Sequence, residues 1–280
     1  YGAFFGNQCR ASAISYNSVI QVVHSLKILK RVRMNWFCAR ISRFLKKEKI
    51  KIRQNYRFMA KTIIISNRLP VQLQISNGSL TAIPSVGGLA TGMKSVHSGG
   101  ESLWIGWSGL TDEETPEELE GEIDEALKEH GCAKVKLNSD EIDGFYYGFS
   151  NRTIWPLFHY FLKYSEFELN FWDTYKAVNQ KFADAIIENS DEDDTIWVHD
   201  YQLMLVPQMV REKRPNTTIG FFLHIPFPSY EIFRTLPWRE EILDGLLGSD
   251  LIGFHTYDYE RHFLSSVRRL IGLDVSFNEI

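Results

Sequence analysis

The second half of the chain alternates short apolar runs with amphipathic stretches, and that alternation restricts the fold more than any other feature. Residues 195–198, 218–223 and 251–254 are mostly apolar runs, too short for ordinary helices and without the polar alternation of a strand that has one wet face. Helical spacing fills 172–188, 201–214, 232–247 (broken at Pro237) and 257–271. In 172–188, Tyr175, Val178, Phe182, Ala183 and Ile186 share one face. Strands buried on both faces and joined by helices predict a mostly parallel sheet flanked by helices, an α/β Rossmann-like fold.

The first half fits the same plan. Residues 62–65 read as a buried strand. Residues 71–75 and 80–83 read as a hairpin, because the intervening Asn77-Gly78 tolerates the positive φ of a tight turn. Residues 103–107 and 135–137 read as further strands, and a helix runs from the Gly87-Gly88 pair to about His97. An acidic helix is expected over 112–130, capped by Thr111 or Asp112. A short helix or turn follows over 140–145, then an aromatic-rich region of helix and loop over 145–172.

Polar residues at the ends of apolar strands locate the chemistry. Ligands of open α/β sheets bind outside the carboxyl ends of the strands. His199 and Asp200 follow one apolar run, His224 ends another, and Arg68 follows 62–65. If these strands are parallel neighbours, four polar groups meet on one rim. A planar guanidinium at Arg68 suits a phosphate, or equally a structural ion pair. Asp200 suits sugar hydroxyls or a helix cap, and His224 suits a hydroxyl or a buried carbonyl. Gly87 and Gly88 let backbone N–H groups approach a phosphate at a helix start, although two glycines also make an ordinary turn. Trp104, Trp107, Tyr146 and Trp155 offer a platform for a sugar ring or simply core packing.

Charge divides the chain at Met59. Of its 280 residues, 1–58 hold 13 Lys/Arg and one acid, Glu48, whereas the whole chain has a net charge of −4. The basic segment reads as a nucleic-acid or membrane arm, a targeting segment, or upstream sequence preceding a true start at Met59; the last is favoured. Cys9, Cys38 and Cys132 are scattered, which suits a reducing, cytoplasmic setting and neither a disulfide framework nor a metal cluster. No apolar run approaches the roughly 18 residues of a membrane span.

Six segments, in order, resemble the trehalose-6-phosphate synthase family of retaining GT-B glycosyltransferases. They are Ile-Ser-Asn-Arg-Leu-Pro at 65–70, Val-Gly-Gly-Leu-Ala at 86–90, Leu-Trp-Ile-Gly-Trp-Ser-Gly at 103–109, the run from Tyr146 to Tyr160, Trp-Val-His-Asp-Tyr at 197–201, and Phe-Phe-Leu-His-Ile-Pro-Phe-Pro at 221–228. Residues 1–58 match nothing in that pattern. The resemblance implies glucosyl transfer from UDP-glucose to glucose 6-phosphate, with UDP released and no metal or other cofactor. It implies that 59–280 form the N-terminal, acceptor-binding half of a GT-B fold, with the donor-binding half absent and the fragment inactive alone. Arg68, Tyr146, Trp155 and, less firmly, Trp107 fall where the family holds glucose 6-phosphate. Gly87 and Gly88 fall where it holds the donor diphosphate. Asp200 and His224 fall near the reacting centre, against both sugars. Tyr147 stands where the family often has Asn. A non-catalytic sugar-phosphate sensor and a transferase for another acceptor are the alternatives. A nucleic-acid role rests wholly on 1–58, and neither nucleic acid nor membrane is an expected partner. Homo-oligomer formation is left open.

Overall fold

A computed structural model describes residues 60–76, 79–85, 87–97 and 102–275. The basic segment lies outside the described residues, as do Asn77 and Gly78. The described residues fall into two units, 87–95 and 60–85 with 96–275.

The second unit is built on a six-stranded sheet. Its strands are β1 (Thr62–Arg68), β4 (Ser102–Trp107), β5 (Cys132–Lys134), β6 (Thr195–His199), β7 (Thr218–Phe222) and β8 (Leu251–Gly253), in the order β5-β4-β1-β6-β7-β8. All neighbours run parallel. A separate antiparallel pair, β2 (Val71–Ser76) and β3 (Ser79–Pro84), makes the expected hairpin. The chain starts at β1, works outward to β5, then returns to the other side of β1 and works outward again. The direction reverses between β1 and β6. That reversal is the topological switch point, where the crossovers diverge and leave a crevice at the strand ends.

The apolar runs form strands because both faces of the sheet are covered. Ile63, Ile65, Ile105, Ile196 and Val198 point into the main core. The alternate residues Trp104, Ile64 and Trp197 are cross-strand neighbours and are also buried. The long helix α3 (Leu169–Asn189) buries Tyr175, Val178, Phe182, Ala183 and Ile186, the face predicted for it. The other helices of eight residues or more are α1 (Gly88–His97), α2 (Glu120–Glu129), α4 (Val206–Lys213), α5 (Arg239–Leu247) and α6 (Tyr257–Ser266). No helix among the described residues is long and apolar enough to cross a membrane.

Four expectations are corrected. The acidic helix is interrupted: 3₁₀ turns at Asp112–Glu114 and Glu117–Leu119 precede α2. Pro116, which lacks an N–H and sits in extended backbone at φ −62°, ψ 137°, separates the turns. Thr111 therefore opens a single turn, where Glu114 accepts from its backbone N–H at 2.9 Å. The strand expected at 135–137 is displaced to β5, and its last ladder-like bond runs from Val135 N to Gly106 O (2.9 Å). The helix expected over 201–214 divides into a turn at Tyr201–Leu203 and α4, which has a proline at its start. Finally, 13 residues, Ile142–Ile154, form one continuous π-helical segment where a short helix or turn followed by helix and loop was expected.

Candidate active site

Two groups of side chains lie at the carboxyl ends of the strands beside the switch point. The first begins with an irregularity in β1. Thr62 to Ile65 pair in steady register with Ser102 to Ile105, but the register shifts before Arg68 pairs with Trp107. The Trp104 indole N–H donates to Ser66 Oγ (2.7 Å), and that hydroxyl donates to the Arg68 carbonyl (2.7 Å). Gly106 permits the close approach: a Cβ there would lie 2.8 Å from Ser66 O. The bulge turns the Arg68 side chain outward. Its guanidinium carbon lies 4.3 Å from the Trp107 ring centroid and 6.0 Å from that of Tyr146. The Trp107 ring is held by its N–H, which donates to Leu110 O at 2.7 Å. Among the described residues no carboxylate pairs with Arg68. An exposed guanidinium braced on one aromatic face and beside another keeps its planar fork for an anion.

The second group lies at the ends of β6 and β7. Asp200 adopts φ 75°, ψ 169°, a strained conformation in a region otherwise occupied almost entirely by glycine. Its N–H donates to Phe222 O (2.8 Å), folding the chain over β7. Its Oδ1 accepts from the backbone N–H of Tyr201 (2.9 Å) and of His224 (3.3 Å), and Oδ2 has no partner among the described residues. Burial pushes this carboxyl up to about 6, partly offset by those two N–H groups. His224 Nε2 lies 3.0 Å from His199 Nδ1. Desolvation, followed by the neighbouring His255, pushes the His224 imidazole down to about 4. Desolvation, with His224 next, holds His199 well below the ordinary imidazole value.

The two groups share one end of the sheet, because Ile65 is the register partner of Val198. A polar tie joins them. The Tyr201 hydroxyl, next to Asp200, donates to Asn151 Oδ1 (2.9 Å) on the π-helical segment that also carries Tyr146. Burial, with Asp200 and then Tyr146 beside it, pushes the Tyr201 phenol up and keeps it a donor.

The other expected residues sit differently. His199 is not on the rim: it is 1% exposed and lies behind His224, in ring contact with Trp197. Trp104 is fully buried as part of the Ser66 relay and cannot serve as a platform. Trp155 is exposed and stacks on His159, with ring centroids 4.2 Å apart. Tyr147 is half exposed and meets Tyr146 edge-on. Gly88 opens α1 after Gly87, whose carbonyl accepts from Thr91 N at 2.9 Å. A Cβ added at either glycine would meet nothing within 4 Å, so local packing does not demand them. Both belong to the other compact unit. Sequence reasoning missed Ser66, Asn151 and Tyr201, whose roles depend on contacts far along the chain.

A doubly wound parallel sheet with its polar crevice at the switch point is the architecture of a Rossmann-like domain, here of the GT-B glycosyltransferase kind. Residues 60–280 match the model of glycosyltransferase family 20, and the chain belongs to that family. It is 47% identical over 217 residues to a UDP-forming alpha,alpha-trehalose-phosphate synthase of Candida albicans, covering 75% of this chain and 45% of that protein. Its structure resembles that of a Burkholderia xenovorans alpha,alpha-trehalose-phosphate synthase in complex with glucose-6-phosphate, with TM-score 0.60, 31% identity, and 75% and 44% of the two chains covered. It also resembles an E. coli protein bound with UDP-2-fluoro glucose, with TM-score 0.62, 34% identity, and 75% and 43% covered. The chain thus spans less than half the length of these relatives.

Proposed function

We propose that residues 60–275 form the acceptor-binding half of a retaining glucosyltransferase that makes trehalose 6-phosphate from UDP-glucose and glucose 6-phosphate. The observation that carries this reading is the Arg68 guanidinium, free of carboxylates among the described residues and braced on Trp107 beside Tyr146 at the switch point. Its fork is suited to the acceptor phosphate, with Tyr146 and Trp155 as walls around the hexose; Trp107, 5% exposed and covered by the guanidinium, braces Arg68 and does not wall the sugar as expected. Asp200 is mostly ionised at neutral pH, and its Oδ2 is placed to accept from sugar hydroxyls at the reacting centre. His224, beside it and neutral, is suited to contact both sugars at the reacting centre. Backbone N–H groups at Gly87 and Gly88, at the start of α1, are suited to the donor diphosphate.

The chemistry asks this half mainly for positioning. The glucosyl group leaves the nucleotide with oxocarbenium character, and the departing phosphate takes the proton of the attacking hydroxyl on the same face. Asp200 then serves by charge and orientation, without acting as a covalent nucleophile. We place the rest of the donor grip outside residues 60–275. Calorimetric titration tests the acceptor assignment. Glucose 6-phosphate should bind saturably and more tightly than glucose or inorganic phosphate; equal affinity for glucose and glucose 6-phosphate would remove the basis for assigning Arg68 to the phosphate.

A further inference from the structure

We propose that His199, which touches no ligand itself, is a positioning residue that fixes His224 as an Nδ1–H donor available to a ligand at the strand ends. The two rings meet through His199 Nδ1 and His224 Nε2 at 3.0 Å, a hydrogen bond that needs one proton between them. Two arrangements satisfy it. If His224 donates from Nε2, neutral His199 must carry its own proton on Nε2. That nitrogen is buried and has no partner, so the arrangement seals an unpaired N–H in the interior. If His199 donates from Nδ1, its Nε2 presents only a lone pair. Orphaned buried N–H groups are rarer than under-satisfied acceptors, so the second arrangement is preferred. Desolvation disfavours the charged form of either ring, leaving neutral tautomers as the relevant choice.

The consequence falls on His224. With Nε2 accepting, its single proton sits on Nδ1. That atom has no hydrogen-bond partner among the described residues and is not sealed in the interior. The backbone N–H of His224 is engaged with Asp200 Oδ1, which leaves the ring as the group free to meet a ligand. Thus Asp200 offers an acceptor, Oδ2, while His224 beside it offers a donor. Such a pair suits a sugar edge on which one hydroxyl donates and another oxygen accepts. The ring geometry is independent of the proposed function; only the identification of the ligand as a sugar rests on it.

The test needs no substrate. The ligand-free 280-residue chain, labelled with ¹⁵N-histidine, is studied at neutral pH by long-range proton–nitrogen correlation, which shows which nitrogen of each ring is protonated. His199 and His224 are both expected to carry the proton on Nδ1. A proton on Nε2 of His224 overturns the proposal at once, without any variant. In His199→Phe, His224 should shift toward the Nε2–H form. His199→Asn, whose amide can donate from a similar place, should retain the Nδ1–H form. An unchanged His224 spectrum in folded His199→Phe removes the positioning role. Failure of glucose 6-phosphate to bind would count against the proposed function and leave these spectra, and the tautomer assignment, untouched.

Discussion

Asp200 sits in strained backbone with a carboxyl that burial pushes up to about 6. Between the ordinary value of 3.8 and that value the folded state holds a proton the unfolded chain has released. Stability from this group therefore falls as pH rises through the window. Asp200→Asn keeps an oxygen for the two backbone N–H groups and removes the buried charge. It should be more stable than the parent by on the order of 1–3 kcal/mol at pH 8 and little different at pH 4, as read by urea unfolding. The histidines have the opposite sign. His224 is pushed down from 6.5 to about 4, so its contribution is lost as pH falls through that range. Arg68 is the complementary case, a charge whose exposed fork carries no strain of its own. Arg68→Ala should weaken glucose 6-phosphate binding by about 2–3 kcal/mol, and Arg68→Lys should recover only part, because an ammonium neither forks nor stacks on Trp107. Calorimetry on the two variants checks both expectations.

Between residue and fold, the elements were legible where one physical signal dominates. Ile63 to Ile65 and Thr195 to Val198 read as buried strands because both faces are apolar, and the α3 face was visible in its spacing. The π-helical segment was not. Its hydrogen bonds skip one residue further than an α-helix, so an α-type period gives no clear stripe. What defines it is contact with α3: a Cβ on Gly144 would lie 2.7 Å from Thr174 Oγ1, and one on Gly148 2.6 Å from Phe171. The rim was half legible. A strand end predicts a polar tip, but not whether that tip faces the crevice, as Asp200 does, or the interior, as His199 does. The alternating pleat puts His199 on the same buried side as Trp197. Equally invisible was the Trp104–Ser66–Arg68 relay, which joins strands 38 residues apart. Ser66→Ala leaves the buried Trp104 N–H unpaired and should cost about 1–3 kcal/mol in urea unfolding. It should also loosen the Arg68 bulge, so glucose 6-phosphate affinity falls although Ser66 never touches the ligand.

For the whole molecule, the sheet order brings Arg68 and Asp200 to one end although 132 residues separate them, since β1 and β6 are paired at the switch point. The chain covers under half the length of its relatives, and the proposed chemistry needs a donor grip beyond this crevice. Incubated with UDP-glucose and glucose 6-phosphate, it should bind the acceptor yet form trehalose 6-phosphate far more slowly than the full-length Candida albicans relative, as read by product analysis. The central claim is that the Arg68 side and the Asp200–His224 side grip one hexose phosphate. The most direct measurement is a glucose 6-phosphate titration followed by amide and side-chain NMR. Signals of Arg68, Trp107 and Tyr146 should move together with those of Asp200 and His224, along one binding curve, and both sets should go silent in Arg68→Ala at the same ligand concentration. Movement of one set alone, or of the two with different affinities, would contradict the account.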